Sequence, residues 1–166
     1  MPTKKVLYIV RHAKSTWDYE NISDIDRPLK LKGIRNAYEM ARQLKINRNI
    51  PEFYISSPAN RALHTACIFL NVFEASFDKL IIDPVLYGNG TEGILQVIGS
   101  QPSTVKKLMI FGHNPDFSDL ARSYVKEPLL EIPSGGVVIL TFDTVNWSGI
   151  RRENLKNEIF TFPKKE

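Results

Sequence analysis

Six short apolar runs, most of them separated by amphipathic stretches, restrict this chain to few folds. "KKVLYIV", "EFYISS", "KLIID" and "KKLMIFG" are rich in β-branched and aromatic residues and are expected to form strands. Lys30 to Leu44 places Ile34, Ala37, Ala41 and Leu44 on one helical face. "SPANRALHTACIFLNVF" opens a second helix, with Ser57 placed to cap it, Pro58 in its first turn, and Ala59, Ala62, Leu63, Ala66 and Leu70 as its buried stripe. "ILQVIG" with its flanks predicts a third helix. "HNPDFSDLARSYV" predicts a fourth, capped by Asn114 or Asp116. The stretches Trp17 to Leu29 and "PVLYGNGTEG" are expected to be loops. "SGGVVILTFD" and "NEIFTFP" lack a full helix between them, so they are expected to pair antiparallel. The alternation predicts an α/β protein, a three-layer α/β/α sandwich on a mostly parallel central sheet.

At 166 residues the default is a single domain spanning 1–166, large enough for a core without disulfides or structural metals. The lone cysteine, Cys67, rules out an internal disulfide, which fits a reducing compartment. Its neighbours Ala66, Ile68 and Phe69 mark it as a small core residue. "VLYIV" is too short for a signal-peptide core or a membrane span, so the cytoplasm is the expected location and no membrane partner is expected. A formal charge of +4 favours anionic substrates or acidic partners, yet the basic residues form no stripe that would suggest nucleic acid. Lys164 and Lys165 near the C-terminus are expected to be solvated.

In open α/β sheets, ligands bind beyond the carboxyl ends of the strands. That rule turns the sequence into a map. The first strand is followed by Arg11 and His12, the second by Ser57 and Arg61, and the fourth by Gly112 and His113. Parallel strands would therefore gather two arginines and two histidines at one edge. A guanidinium fork matches the oxygens of a phosphoryl group. A neutral imidazole nitrogen can attack phosphorus in line, provided its other nitrogen holds the proton against an acceptor. A second histidine, if protonated, adds charge on the equatorial oxygens and helps keep the first one neutral.

The residues that carry this chemistry also carry a family likeness. "RHAKSTWD" at Arg11–Asp18 resembles the RHG-type signature of the histidine phosphatase superfamily. "DRPLKLKG" at Asp26–Gly33, "SSPANRALHTA" at Ser56–Ala66 and "GHNP" at Gly112–Pro115 are similar to its other motifs, in the same order. The short chain and the "GHNP" stretch look most like the small SixA-type phosphohistidine phosphatases. The resemblance implies a phosphoglycerate-mutase-like sandwich and no cofactor. His12 would be the nucleophile, with Arg11 and Arg61 clamping phosphate, His113 as the second pocket histidine and Ser15 as a further donor. It implies a phosphorylated protein, or a small phosphate ester, as the partner.

Two departures stand out. Ala13 replaces the usual glycine of the signature. Larger members carry an acid in the loop after the third strand, where this chain has "LYGNGTEG". Glu92 is the only carboxylate there, hence the candidate proton donor; otherwise it is a solvated residue opening a helix, where a negative charge suits the dipole. A missing acid points to an activated phosphate, since alkyl esters gain roughly 10²–10⁴ in rate from a general acid. His64 is expected to be a partly exposed helix residue, and Lys14 either overlooks the pocket or faces water. Asp18, a carboxylate where the family has an amide, would repel phosphate. The three histidines lack metal-ligand spacing. Two alternatives remain open: a phosphatase of small metabolites or other phosphoproteins, and a non-catalytic module that binds a phosphoprotein.

Overall fold

The computed structural model describes residues 4–165. Ten elements carry the fold: β1 (Lys4–Arg11), α1 (Leu31–Ile46), β2 (Phe53–Ser56), α2 (Asn60–Phe73), β3 (Leu80–Ile82), α3 (Gly90–Gly99), β4 (Lys107–Gly112), α4 (Asp116–Tyr124), β5 (Val137–Asp143) and β6 (Leu155–Thr161). The strands form one sheet in the order β3-β2-β4-β1-β5-β6. The first four strands are mutually parallel; β5 runs antiparallel to β1, and β6 antiparallel to β5, as the missing helix between them requires.

Alternation along the strands builds two cores. In β1, Leu7 and Ile9 point to one face, where they join Ile94 and Ile98 of α3 and Phe117 and Leu120 of α4. Tyr8 and Val10 point to the other, against Ala37, Met40 and Leu44 of α1 and Ala66, Phe69 and Phe73 of α2. Both faces are covered, which is why "VLYIV" is apolar without interruption. Each fully buried Leu or Ile contributes about 1.5–3 kcal/mol. The arrangement is the α/β/α sandwich that the sequence pattern predicts.

Four local details differ from expectation. Ser57 does not cap α2: the helix starts at Asn60 after Ala59, and Pro58 lies outside it. The Ser57 hydroxyl instead accepts from the Ala59 N–H (3.1 Å) and meets His113. Asp116 caps nothing on α4; it accepts from the Gly90 N–H (3.1 Å), tying α3 to α4, while Asn114 Oδ1 reaches the first turn of α4 through Ser118. The second half of "PVLYGNGTEG" is helical, because α3 begins at Gly90. Leu63 and Cys67 are half-buried on α2 rather than in the core, and burial pushes the Cys67 thiol pKa up.

The register brings the ends of β1, β2 and β4 side by side. Val10 and Ser56 both pair with Phe111, and Arg11 pairs with Gly112. Backbone bonds continue past the strands, from His12 N–H to Gly112 O (3.0 Å) and from Ser57 N–H to Phe111 O (3.0 Å). Among the described residues, no helix is long and apolar enough to cross a membrane.

Candidate active site

His12 leaves the sheet at the end of β1 and is 8% exposed. Its Nδ1 lies 2.7 Å from the carbonyl of Ala13. A carbonyl only accepts, so Nδ1 carries the proton and Nε2 keeps a free lone pair. Burial, then the neighbouring His113, Arg61 and Arg11, push the His12 pKa down to about 3, against the opposing bond to Ala13. His12 is therefore neutral at pH 7. The loop that holds it is anchored from four directions. Gly135 N–H donates to the carbonyls of Arg11 (3.1 Å) and His12 (2.9 Å). Ala13 N–H donates to Thr65 Oγ1 (3.0 Å), which donates to Arg61 O (2.7 Å). Thr16 N–H and Lys30 N–H bond across to Pro28 O and Lys14 O, so "RHAKS" and "DRPLK" run as a short ribbon. Gly33 faces this ribbon: a Cβ there would sit 2.2 Å from the Lys14 carbonyl oxygen. Gly135, with φ at +76°, makes the turn that delivers its N–H.

His113 stands 5.2 Å from His12, ring centre to ring centre. Its Nε2 is 2.8 Å from Ser57 Oγ. That hydroxyl already accepts from Ala59, and its hydrogen has no other acceptor among the described residues, so it donates to Nε2. His113 then carries its proton on Nδ1. Burial and Arg61 push its pKa down to about 4, with Asp24 opposing. It acts as a neutral donor at pH 7, not as the cation that a protonated second histidine would be.

Arg11 extends from the end of β1, and its Nη1 donates to Ile132 O (2.9 Å). Arg61, from the first turn of α2, is only 6% exposed although the helix pattern puts it on the polar side. It is turned inward by Asp24: Nη1 donates to the Asp24 carbonyl (2.6 Å) and Nη2 to Oδ2 (3.0 Å). Asp24 also accepts from Tyr87 O–H (2.6 Å) and Arg27 Nε (3.1 Å). The Tyr87 bond most of all, then Arg61, holds the Asp24 pKa down at about 2, against some burial. Tyr87 packs edge-on against His113 at 5.4 Å.

Four buried side-chain atoms lack a hydrogen-bond partner among the described residues, and three belong to this cluster: Arg11 Nε, Arg61 Nε and His113 Nδ1. Buried donors are normally paired. Three orphaned donors beside one free imidazole lone pair are the groups an oxyanion and an attacking nitrogen would need.

The structure thus brings together Arg11, His12, Arg61 and His113. Ser15 lies beside them, its hydroxyl accepting from Arg27 Nη1 (3.0 Å). Glu92 stands apart: it is exposed in the first turn of α3 and takes part in none of the cluster's hydrogen bonds. Lys14 and Asp18 are exposed, and His64 is half-buried. Sequence reasoning missed Asp24, Arg27, Tyr87 and Thr65. Arg27 and Thr65 lie inside motifs already singled out, and Tyr87 lies in the loop searched for an acid. Asp24 carried no signal within its polar loop.

Comparison with known proteins gives the same picture. An uncharacterised chloroplastic protein of Arabidopsis thaliana is 31% identical over 127 residues, which cover 69% of this chain and 56% of that protein. The chain thus spans little more than half of that relative. A SixA structure from Agrobacterium tumefaciens superposes with a TM-score of 0.81 at 24% identity, covering 99% of this chain and 100% of the other. The protein histidine phosphatase SixA complexed with tungstate gives 0.70 at 18% identity, covering 95% and 94%. The family model of the histidine phosphatase superfamily (branch 1) matches residues 7–86, which include three of the four motifs. The chain belongs to the histidine phosphatase superfamily.

Proposed function

We propose that this protein is a phosphohistidine phosphatase working through a covalent intermediate on His12. One observation carries the proposal: the His12 nucleophile, its tautomer set by Ala13, adjoins three buried donors that have no protein partner. The Nε2 lone pair attacks phosphorus in line, forming the P–Nε2 bond as the bond to the leaving nitrogen breaks. Water then attacks the phosphorylated His12, the P–Nε2 bond breaks, and inorganic phosphate leaves. Arg11, Arg61 and the Nδ1–H of His113 hold the equatorial oxygens through both steps.

The preference for phosphohistidine rests on protons. The only carboxylate in the cluster is Asp24, and with a pKa of about 2 it has no proton to give at pH 7. A phosphoramidate needs little help, because its leaving nitrogen is readily protonated from solvent. An alkyl ester does need it. Binding of tungstate, a tetrahedral oxyanion, by a SixA protein of the same fold supports the use of the pocket for a phosphoryl group.

A turnover panel tests this: a phosphohistidine peptide, a phosphoserine peptide and sugar phosphates. Phosphohistidine should be preferred, and acid-labile label should appear on wild type but not on His12→Ala. Faster turnover of sugar phosphates would favour a metabolite phosphatase. Binding of phosphopeptide without label uptake would favour a non-catalytic module.

A further inference from the structure

Beside the phosphate cluster lies a hollow of about 400 Å³ lined by Lys14, Lys32, Pro133, Ser134, Lys164 and Lys165. Lys14, Lys164 and Lys165 are exposed. The hollow and the catalytic loop share a wall. Lys14 follows Ala13, whose carbonyl fixes the His12 tautomer. Pro133 follows Ile132, whose carbonyl holds Arg11. Ser134 precedes Gly135, which bonds to the carbonyls of Arg11 and His12. The two tail lysines follow Pro163, whose ring packs on Gly135.

Strand direction places the tail on the catalytic side of the sheet. Val137 pairs with Val10 on one side and with Thr161 on the other, so β6 ends at the edge where β1 ends. Lys164 and Lys165 therefore leave the sheet at the same edge as His12. Their ammoniums sit on long flexible stems and offer charge rather than a fixed fork. Such a surface reads a broad negative field, not a second phosphate of defined geometry.

We infer that this lysine hollow docks acidic side chains flanking the phosphorylated residue of a protein substrate. The inference deepens the phosphohistidine proposal and rests on it for the identity of the central group. Contacts of this kind raise the encounter rate and are screened by salt.

The test uses two synthetic peptides that carry the same phosphohistidine, one flanked by Asp and Glu, the other by Ser and Ala. At low salt, wild type should turn over the acidic peptide with a kcat/KM about tenfold higher, an advantage that shrinks as salt rises. Lys164→Glu/Lys165→Glu, and separately Lys14→Gln, should erase most of that advantage, while the neutral peptide loses no more than about twofold. Equal turnover of the two peptides by wild type, or an acidic preference that survives in the variants, would overturn the docking while leaving the phosphatase reading intact. If neither phosphohistidine peptide turns over, that reading fails by itself. Anisotropy binding of the same peptide pair carrying phosphoserine to His12→Ala then decides the docking, and equal affinities would overturn it. A bisphosphorylated small ester weakened by the lysine variants, with no peptide preference, would also overturn it in favour of a second-phosphate site.

Discussion

Lowering the pH from 7.5 to 5.0 should cost the folded protein about 4 kcal/mol, nearly all of it from two residues. His12 and His113 have folded pKa values pushed down to about 3 and about 4, while an unfolded histidine titrates near 6.5. A depressed histidine pKa means that the unfolded chain binds the extra proton. Stability is thus full above pH 6.5 and is lost as the pH falls toward the folded values. At pH 5.0 each unfolded imidazole has gained about 1.5 units of protonation free energy that its folded counterpart has not, or about 2 kcal/mol per residue. That figure is insensitive to the folded values, provided they stay near or below 4. Asp24 adds little in this window, because its own loss begins only near the unfolded carboxylate pKa. Urea unfolding at the two pH values measures the effect; with m near 2 kcal/mol/M, the midpoint should fall by about 2 M. The variant His12→Asn/His113→Asn should show a nearly flat response. A wild-type midpoint that does not move, or a shift of equal size in the double variant, would refute the assignment of both rings as buried and neutral.

Two substitutions probe the supports of the site. Gly33→Ala puts a methyl 2.2 Å from the Lys14 carbonyl oxygen, a backbone atom with no side chain to swing away, so it should destabilise by about 1–3 kcal/mol and lower kcat/KM at least tenfold by shifting the His12 loop; thermal melts and steady-state kinetics measure both. Ser57→Ala removes the donor that fixes the His113 tautomer, so kcat should fall by roughly tenfold with a changed pH profile while Ser57→Thr retains most activity; an unaltered profile would count against the tautomer assignment.

The layers and the sheet edge were legible because they follow from local rules. The part of a strand covered on both faces must be apolar throughout, and Val6 to Val10 of β1 are. What escaped sequence reasoning depends on partners far apart in the chain. Asp24 meets Arg61 across 37 positions and Tyr87 across 63. No pattern in a polar loop announces such bonds. Ser57 shows tertiary context overriding a local rule: a serine before a helix is a good cap, but here its hydroxyl is committed to His113 and to Ala59. Arg61 shows the same reversal. Helical periodicity assigns it to water, and its two bonds to Asp24, itself an exposed residue, hold it against the cluster. Glu92 drew notice because it was the only carboxylate in its loop, yet the residue of that loop that reaches the cluster is Tyr87.

A charge count explains why a carboxylate would belong in the proposed phosphate pocket at all. At pH 7 both histidines are neutral, and the ionised groups of the cluster are Arg11, Arg27, Arg61 and Asp24. Three guanidiniums against one carboxylate leave a net charge of +2, which balances a phosphoryl dianion. Without Asp24 the surplus would grow, and inorganic phosphate, itself a dianion, would be held more tightly after the reaction than the chemistry needs. Asp24 also takes one N–H from each terminal nitrogen of Arg61, which fixes the guanidinium and leaves Nε among the donors without a protein partner. Burial, reinforced by these positive neighbours, keeps His12 unprotonated, and only an unprotonated ring can attack. The charges that set the proposed pocket's anion affinity thus also add to the depression of the His12 pKa. Removing Arg11 or Arg61 should therefore weaken anion binding and raise the His12 pKa together.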